Sequence, residues 1–270
     1  MLTDIPPPPI KRLGQNFLID PNIVRKIVTL AELRPSDHVL EIGPGRGILT
    51  EALCRTAGRV TAIEIDARLY KYLNSRREEF PNLELILGDA LTYPIEACPP
   101  GTIVVANLPY YASTPLLFRL LDHRERFSRM ILMLQNEVAD RLVAEAGKSD
   151  YSVLTVMTQH AAEATKAFRV SAQCFRPRPE VGSAVVLLRM RGPSGLTEEE
   201  ERIFAAVVKA AFAHRRKTAV NSLLDEGYDR RQVADALGSL GLSRAIRAER
   251  LSLDRFVRLS RLLKKPVEKH

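Results

Sequence analysis

Tryptophan is absent from the sequence, aromatic residues make up only 6% of its 270 positions, and cysteine occurs three times. Cys54, Cys98 and Cys174 are widely spaced, with no Cys-x-x-Cys pair and no nearby histidine. This pattern excludes a disulfide scaffold and a zinc site. We therefore expect free thiols in a reducing compartment, a cytoplasmic protein and no bound metal.

Long apolar runs are missing as well. No stretch approaches the roughly 18 apolar residues that a membrane helix requires. The first residues, MLTDIPPPPIKR, contain an acid and four consecutive prolines but no apolar core, so they are typical of neither a secretory signal nor an anchor. We expect residues 1–10 to form a flexible, proline-rich arm, and we expect no membrane partner.

Acidic residues are too few to balance the basic ones. The chain has 40 Lys and Arg against 32 Asp and Glu, which gives a formal charge of +8 and a pI near 9.6. Because Lys and Arg neutralise phosphates, such a surplus favours a polyanionic partner. Taken alone, it is equally typical of a well-solvated basic surface.

From residue 38 onward, short apolar runs alternate with longer helical patterns. The runs are HVLEI, RVTAIEI, LELIL, TIVVAN and MILML, and SAVVLLRM closes the pattern. The segments between the first five are long enough for crossover helices, which is the signature of a parallel sheet wound with helices. We predict an α/β, Rossmann-like domain over residues 11–192.

The C-terminal part has a different pattern. RGPSGLTEEE at 191–200 predicts a linker and a helix start, with Thr197 as N-cap and Glu200 completing a capping box. Apolar residues then recur at helical spacing, and from residue 195 onward 16 Lys and Arg face 11 Asp and Glu. We expect residues 193–270 to form a small, all-helical domain that binds RNA.

The segment VLEIGPGRGILT at 39–50 combines a strand, a glycine-rich turn and a helix start. Gly43, Gly45 and Gly47 let the backbone approach a nucleotide-like ligand. The NAD fingerprint G-x-G-x-x-G would need a third glycine where isoleucine stands. The spacing G-x-G-x-G after Glu41 instead resembles the first motif of S-adenosylmethionine-dependent methyltransferases, which implies that Gly43 and Gly45 bind that cofactor.

Two carboxylates follow at the ends of the next predicted strands. Glu64 ends the second strand, and Asp89 comes directly after the third. In such a fold Glu64 is placed to accept both ribose hydroxyls, and Asp89 to accept from the adenine amine. Either acid alone would be interpreted as a helix cap. A glycine turn and two acids at three consecutive strand ends favour a cofactor site.

The fourth predicted strand ends in NLPY, which resembles the fourth motif of amino-methyltransferases, enzymes that methylate exocyclic nitrogens of bases. The Asn107 side-chain oxygen and the carbonyl of Leu108 or Pro109 can accept both hydrogens of an adenine N6 amine, which turns its lone pair toward the methyl group. The resemblance implies that Asn107 is catalytic and also contacts the cofactor. Tyr110 offers a face on which a flipped base stacks.

A structural alternative exists for the residues that follow. Thr114 as N-cap and Pro115 at the first helical position predict the start of a helix. This explains residues 113–115 but leaves the NLPY segment unexplained, so we favour the catalytic interpretation.

Three further segments, KRLGQNFLID at 11–20, FRPRPEVGSAVV at 175–186 and AFAHRRKTAVNSLL at 211–224, resemble the family of ribosomal RNA adenine N6,N6-dimethyltransferases. The resemblance implies that Gln15, Asn16 and Leu18 line the cofactor pocket. It also implies that Phe175 packs against the target base, as a catalytic-site residue. From the residues alone, Phe175 would be a buried aromatic anchor.

The segment HRRKTAVNSL most resembles the bacterial small-subunit enzymes, which dimethylate two adjacent adenosines near the 3′ end of 16S RNA. The resemblance implies that the small-subunit precursor is the partner and that Arg215, Arg216 and Lys217 contact RNA phosphates. A solvated basic face is the alternative for that charge run. We expect the protein to be a monomer.

Other functions remain open at this point. Related enzymes that confer macrolide resistance dimethylate 23S RNA but generally lack this tail pattern. A ribosome-assembly factor without catalysis would be indicated by loss of Gly43, Glu64, Asp89 or Asn107, and all are present. A DNA adenine methyltransferase is disfavoured because its motif has two prolines after the first residue. Where the family usually has Asn and Ile after NLPY, this chain has Tyr and Ala.

Overall fold

The computed structural model describes residues 5–10, 13–214 and 216–263 and divides the chain into two compact units. The first unit runs to Ala139 and resumes over Ala162–Met190, and the second comprises Asp140–Ala161 and the chain from Arg191 onward. The sequence analysis places residues 140–161 in the first domain. They belong to the second unit because their apolar side chains, among them Tyr151 and Val156, are part of the hydrophobic core of the C-terminal helices.

The first unit contains a seven-stranded sheet and a separate two-stranded ribbon. The ribbon pairs β1 (Phe17–Leu18) with β8 (Phe175–Arg176). The sheet strands are β2 (His38–Ile42), β3 (Arg59–Glu64), β4 (Leu83–Leu87), β5 (Thr102–Asn107), β6 (Phe127–Gln135), β7 (Ala162–Val170) and β9 (Ser183–Met190). Their order is β4-β3-β2-β5-β6-β9-β7.

The first five of these sheet strands in chain order pair in parallel, as the alternating apolar runs predict. Strands β2 and β5 are almost wholly buried, because helices cover both faces of a parallel sheet and the strands must be apolar on both sides. Strand β9 is antiparallel to both β6 and β7, so the far edge of the sheet is not parallel. The predicted α/β, Rossmann-like class is confirmed.

Five helices follow the early strands: α1 (Pro21–Ala31), α2 (Ile48–Cys54), α3 (Ala67–Asn74), α4 (Ser113–Asp122) and α5 (Asn136–Leu142). The prediction that Thr114 caps α4 was wrong. The helix begins at Ser113 after Ala112, and no side chain caps it. A turn in which the Ala112 N–H donates to the Pro109 carbonyl at 3.0 Å starts the helix earlier than the capping residues indicate.

The second unit is helical, as predicted. Its helices after α5 are α6 (Val153–Ala161), α7 (Glu198–Phe212), α8 (Ala219–Asp225), α9 (Arg230–Ser239) and α10 (Leu253–Leu262). The predicted capping box is present at the start of α7: Thr197 accepts from the Glu200 N–H, and the Glu200 carboxylate accepts from the Thr197 N–H. The side chains of Thr197 and Glu200 thus accept hydrogen bonds from N–H groups that have no partner within the helix.

The sheet brings the functional candidates to one edge. Strands β2, β3, β4 and β5 end on the same side, where Ile42 pairs with Ala106 and Glu64 with Leu87. The chain crosses from β2 outward to β4 and then returns to β5 on the other side of β2. Such a reversal opens a crevice at the carboxyl ends of the strands, where α/β proteins bind ligands.

In the part of the chain that the structure describes, none of the helices has both the length and the apolar character needed to cross a membrane.

Candidate active site

A cleft opens at this carboxyl edge. Four segments supply its walls: residues 13–17, the glycine turn, the end of β3 with the residues that follow it, and residues 107–111. Seven predicted site residues lie on its surface: Gln15, Asn16, Gly43, Gly45, Glu64, Asn107 and Tyr110. The structure therefore brings together most of the residues that the sequence analysis proposes.

The glycine turn forms one wall of the cleft with backbone atoms alone at Gly43 and Gly45. Gly43 and Gly45 both have positive φ angles, 71° and 60°, which side-chain-bearing residues rarely adopt. A Cβ atom on Gly45 would also lie 3.1 Å from the ring of Phe17, which lines the same cleft. The sequence needs glycine here both for the backbone conformation and for the close approach of the aromatic ring.

Glu64 is tied to the backbone at the end of β3. It is buried, and its Oε2 accepts from the Gly45 N–H at 3.0 Å while its Oε1 accepts from the Asp66 N–H at 2.8 Å. Burial raises the pKa of this carboxyl, and the two backbone N–H donors act in the opposite direction. Each carboxylate oxygen can accept more than one hydrogen bond, so Glu64 retains capacity for ligand hydroxyls.

Gln15 connects the N-terminal segment to the same region. Its Nε2 donates to Asp66 Oδ2 at 2.9 Å, and its Oε1 accepts from the Ile10 N–H at 2.7 Å. Hydrogen bonds from Arg68 hold the pKa of Asp66 down to about 2, so this acceptor stays ionised. Both ends of the Gln15 amide thus have protein partners. Through these hydrogen bonds Gln15 fixes the position of residues 13–17, which form one wall of the cleft.

Asn107 stands half-buried at the end of β5, with its side-chain amide oriented by the chain. Its Nδ2 donates to the backbone carbonyl of Asn16 at 3.2 Å. A carbonyl can only accept, so the NH₂ end must face Asn16 and the amide cannot be flipped. Among the described residues the Oδ1 atom has no hydrogen-bond partner, so it is left as an oriented acceptor on a residue that lines the cleft.

The residues after Asn107 form a shaped wall. Leu108 is buried, and its N–H donates to the Met133 carbonyl at 3.2 Å. The Tyr110 hydroxyl shares a hydrogen bond of 2.9 Å with Ser183 Oγ, and burial raises the pKa of this phenol. Ser183 is fully buried at the start of β9 and fixes the ring of Tyr110. Sequence reasoning missed Ser183, because nothing in its local pattern signals the contact.

Three predicted residues do not line the cleft. Asp89 uses its Oδ1 to accept from the Leu91 N–H at 2.8 Å, so part of its carboxylate caps the turn after β4. Leu18 and Phe175 are paired across the two-stranded ribbon and belong to the hydrophobic core of the first unit. Phe175 is only 1% exposed. In this conformation its ring has no free face for a base, and it is the buried anchor that the residues alone suggest.

The glycine motif includes Glu41, but the sequence analysis does not predict the burial of this acid. It lies in β2, an inner strand of the sheet, is 1% exposed, and its Oε2 has no hydrogen-bond partner among the described residues. Burial raises the pKa of Glu41 to about 8; Thr50 acts in the opposite direction, and the nearby charge of Glu64 adds to the increase. Its position in a continuous apolar run is the sequence signal that could have indicated this burial.

The predicted RNA-contacting residues lie in the second unit. Arg215 lies outside the described residues. Arg216 is exposed, whereas Lys217 places its Nζ 2.5 Å from Asp225 Oδ2. The imidazole of His214 lies 3.6 Å from the same carboxylate. Lys217 is therefore already paired within the protein, and the exposed pair contributes little to stability.

Comparison with known proteins identifies the group to which this arrangement belongs. The family described as ribosomal RNA adenine dimethylase matches residues 10–265. This chain belongs to that family. Proteins named ribosomal RNA small subunit methyltransferase A are similar to it: that of Moorella thermoacetica is 41% identical over 94% of this chain and 92% of the relative, and that of Geobacter metallireducens is 40% identical over 94% of both.

Solved structures of the same family agree with this fold. A dimethyladenosine transferase from Plasmodium falciparum superposes with a TM-score of 0.78 at 32% identity, over 90% of this chain and 95% of that one. The 23S rRNA methyltransferase ErmE gives a TM-score of 0.70 at 32% identity, over 92% of this chain and 99% of that one.

The protein is therefore an S-adenosylmethionine-dependent methyltransferase of the ribosomal RNA adenine dimethylase family. The cleft fits this cofactor, because Gly43 and Gly45 line it without placing a side chain in it and the Glu64 carboxylate has acceptor capacity left. When bound, S-adenosylmethionine supplies an electrophilic methyl group. The remaining chemistry depends on how the side chains of the cleft present a nucleophilic nitrogen.

Proposed function

We propose that this enzyme transfers methyl groups to the N6 amines of two adjacent adenosines near the 3′ end of 16S ribosomal RNA, dimethylating each during small-subunit biogenesis. The observation that carries the proposal is the oriented amide of Asn107, whose acceptor oxygen is left for a substrate while its NH₂ donates to Asn16. An adenine N6 amine has two hydrogens to donate and a lone pair delocalised into the ring. Acceptors at fixed positions are what such a nucleophile needs.

The acceptor pair follows from the hydrogen bonds at residues 107–109. Asn107 Oδ1 accepts one N6 hydrogen, and a backbone carbonyl accepts the other. The Pro109 carbonyl already accepts from the Ala112 N–H at 3.0 Å. The Leu108 carbonyl has no such partner among the residues described, which favours Leu108 over Pro109 as the second acceptor.

No strong base is required for this chemistry. Two accepted hydrogen bonds draw the amine toward tetrahedral geometry, which localises the lone pair on nitrogen. The N–H proton becomes acidic only as the new N–C bond forms, and it then leaves through Asn107 or water. Tyr110, whose ring is fixed through Ser183, offers a stacking face for the flipped base.

Of the other predicted residues, some contact the cofactor directly and the others support the walls of the cleft. Gly43, Gly45 and Glu64 hold the cofactor, with Glu64 on the ribose. Gln15 and Asn16 act through the segment that they hold in place, since both ends of the Gln15 amide have a protein partner and Asn16 offers its carbonyl to Asn107. Leu18 supports the cleft from the hydrophobic core.

Asp89 and Phe175 can make their predicted contacts only in part or after a change of conformation. For Asp89, the second carboxylate oxygen is left to meet the adenine amine of the cofactor, because the first caps a turn. A contact between Phe175 and the target base requires movement of the ribbon. In the second unit Arg216 is the better phosphate ligand, because Lys217 must first exchange its own carboxylate partner.

Small-subunit RNA is favoured over 23S RNA as the substrate. The relatives named small subunit methyltransferase A are 40% to 41% identical to this chain, whereas the 23S rRNA methyltransferase structure is 32% identical. The tail segment HRRKTAVNSL also resembles the small-subunit enzymes. We propose that the enzyme acts as a monomer on the precursor particle in the cytoplasm.

The test is to map the methylated adenosines. Small-subunit particles that lack N6,N6-dimethyladenosine are incubated with the protein and S-adenosylmethionine, and the 16S RNA is digested and analysed by mass spectrometry. We expect dimethylation at two adjacent positions near the 3′ end, and none with an Asn107→Ala protein in the same time. Modification of 23S RNA alone would support the macrolide-resistance type. Binding to particles without methylation by the wild-type protein would support an assembly factor.

A further inference from the structure

Tyr111 is a large aromatic side chain that the fold leaves exposed on the surface of the cleft. Its side chain is 56% exposed, although it lines the same cavity as Tyr110 and Asn107. Among the described residues, nothing forms a hydrogen bond with its hydroxyl. Burial does not explain this ring, because most of its apolar surface remains in contact with water.

One edge of the Tyr111 ring is nevertheless held in place. A Cβ atom on Gly14 would lie 3.3 Å from Tyr111 Cδ1, so the ring packs directly against the backbone of the N-terminal wall. Gly14 itself has a φ of 57°, and the side-chain-free position permits this close approach. The ring is thus positioned on one side and open on the other, as expected of a surface that receives a planar ligand.

We propose that Tyr111 binds the base that neighbours the target adenosine, so that the cleft recognises two consecutive nucleotides. This inference rests on the function proposed above. When one adenosine leaves its stack to enter the cleft, its neighbour loses a stacking partner, which is part of the cost of base flipping. An exposed aromatic ring next to the target site replaces that partner.

The position of Tyr111 suits this role. It follows Tyr110 directly in the chain, and both side chains line the cleft, so a base on each ring would belong to nucleotides close together in the RNA. Stacking uses the face of any base and needs no hydrogen bond from the tyrosine hydroxyl. Because the two substrate adenosines are adjacent, the neighbour of either target includes an adenine, which is a good stacking base.

The expected effects separate Tyr111 from the cofactor site. Tyr111→Ala is expected to raise the particle concentration needed for half-maximal transfer by about 5- to 20-fold, the lower part of the range for base–aromatic stacking, because the ring keeps one exposed face. Affinity for S-adenosylmethionine and the melting temperature are expected to change little. Tyr111→Phe is expected to retain tight RNA binding, and Tyr111→Leu to behave like alanine because it lacks a planar face.

A substrate change gives the decisive test. Particles are reconstituted with 16S RNA that is abasic at one of the two adenosines, and transfer to the other is measured under single-turnover conditions. For the wild-type enzyme, the abasic site is expected to raise the particle concentration needed for half-maximal transfer by the same factor as Tyr111→Ala raises it on intact particles. For the Tyr111→Ala variant, the abasic site is expected to raise this concentration little further.

Equal losses for wild type and Tyr111→Ala on abasic particles would overturn the proposal, as would a Tyr111→Leu variant with wild-type RNA affinity. If wild-type enzyme methylates the intact particles but these tests fail, only the role of Tyr111 is refuted. If the wild-type enzyme methylates no adenosine in intact particles, the proposed function fails and this inference fails with it.

Discussion

Replacing Asn107 with alanine removes both a donor and an acceptor from the edge of the cleft, with different expected consequences. The donor, Nδ2, bonds the Asn16 carbonyl at 3.2 Å in a half-buried setting, so its loss should cost about 1 kcal/mol of stability. The acceptor, Oδ1, is proposed to bond N6 more strongly as positive charge develops on that nitrogen. Losing one such oriented partner lowers the rate by about 10² to 10³.

The effect of Asn107→Ala is expected to fall on kcat. An interaction that strengthens only in the transition state changes the rate of the chemical step, whereas one made equally in the ground state changes KM. Single-turnover transfer to small-subunit particles, with particles and S-adenosylmethionine both saturating, isolates that step. Calorimetry with the cofactor and particle-binding measurements should show modest changes.

Two further variants separate the donor from the acceptor. Asn107→Asp keeps an acceptor but places an oxygen against the Asn16 carbonyl, so it should lose stability and retain more rate than the alanine variant. Asn82→Ala is the matched control elsewhere in the first unit: its Nδ2 donates to the carbonyls of Cys54 and Ala57 at 2.9 and 2.8 Å. It should destabilise the protein at least as much while leaving kcat near wild type.

A rate for Asn107→Ala within a few-fold of wild type would refute this reasoning. Asn107 would then be a structural end to β5 that fastens the Asn16 segment. A rate loss matched by Asn82→Ala would lead to the same conclusion, because it would follow from stability rather than from the lost acceptor.

Three other substitutions test separate parts of the structure. Glu64→Gln turns an NH₂ toward one of two backbone N–H groups, so the affinity for S-adenosylmethionine should fall at least about tenfold in calorimetry. Glu84→Gln changes a half-exposed carboxylate of β4 that pairs with Arg59 away from the cleft, and it should leave that affinity unchanged. Glu41 has a pKa of about 8 against an ordinary 4.5, so the folded state binds its proton more tightly and wild-type stability falls between these pH values. Glu41→Gln removes this fall. The free energy of unfolding of the variant, measured in urea, should therefore exceed that of the wild type by roughly 1.4 kcal/mol more for each pH unit across that window. A difference that does not change with pH would contradict a buried, protonated carboxyl. Arg216→Ala should flatten the dependence of log K on log salt for particle binding by about 0.7 to 0.9, and Lys217→Ala by less, because its ammonium already has a carboxylate partner.

The parallel part of the sheet could be predicted because each strand has a local signal. Apolar runs of five or six residues separated by helix-length segments are buried on both faces, and right-handed crossovers then determine how they connect. The antiparallel insertion of β9 between β6 and β7 has no such signal, since an apolar run looks the same whichever way its neighbour points. Residues 140–161 were misplaced for a related reason: their amphipathic pattern predicts a helix but not the core that it joins.

At the cleft, the sequence could predict which residues lie together only where chain topology alone brings them there. Gly43 directly follows β2, and Glu64 and Asn107 end β3 and β5; these parallel strands end on one edge of the sheet. The hydrogen bonds between Gln15 and Asp66 and between Tyr110 and Ser183 join residues 51 and 73 positions apart. Such contacts depend on side-chain conformation in the folded protein, and no spacing in the sequence encodes them.

Phe175 and Tyr111 show how burial changes the interpretation of an aromatic side chain. The family resemblance gives Phe175 a contact with the target base, but pairing of the ribbon strands directs its ring into the hydrophobic core, where it is 1% exposed. A ring in that position can reach a base only if the ribbon moves and apolar surface is exposed to water, which carries a free-energy cost. Tyr111 is 56% exposed and needs no such rearrangement. In the conformation described, the stacking surface that we propose for RNA is therefore formed by Tyr110 and Tyr111, and a contribution from Phe175 would require RNA binding to open the ribbon.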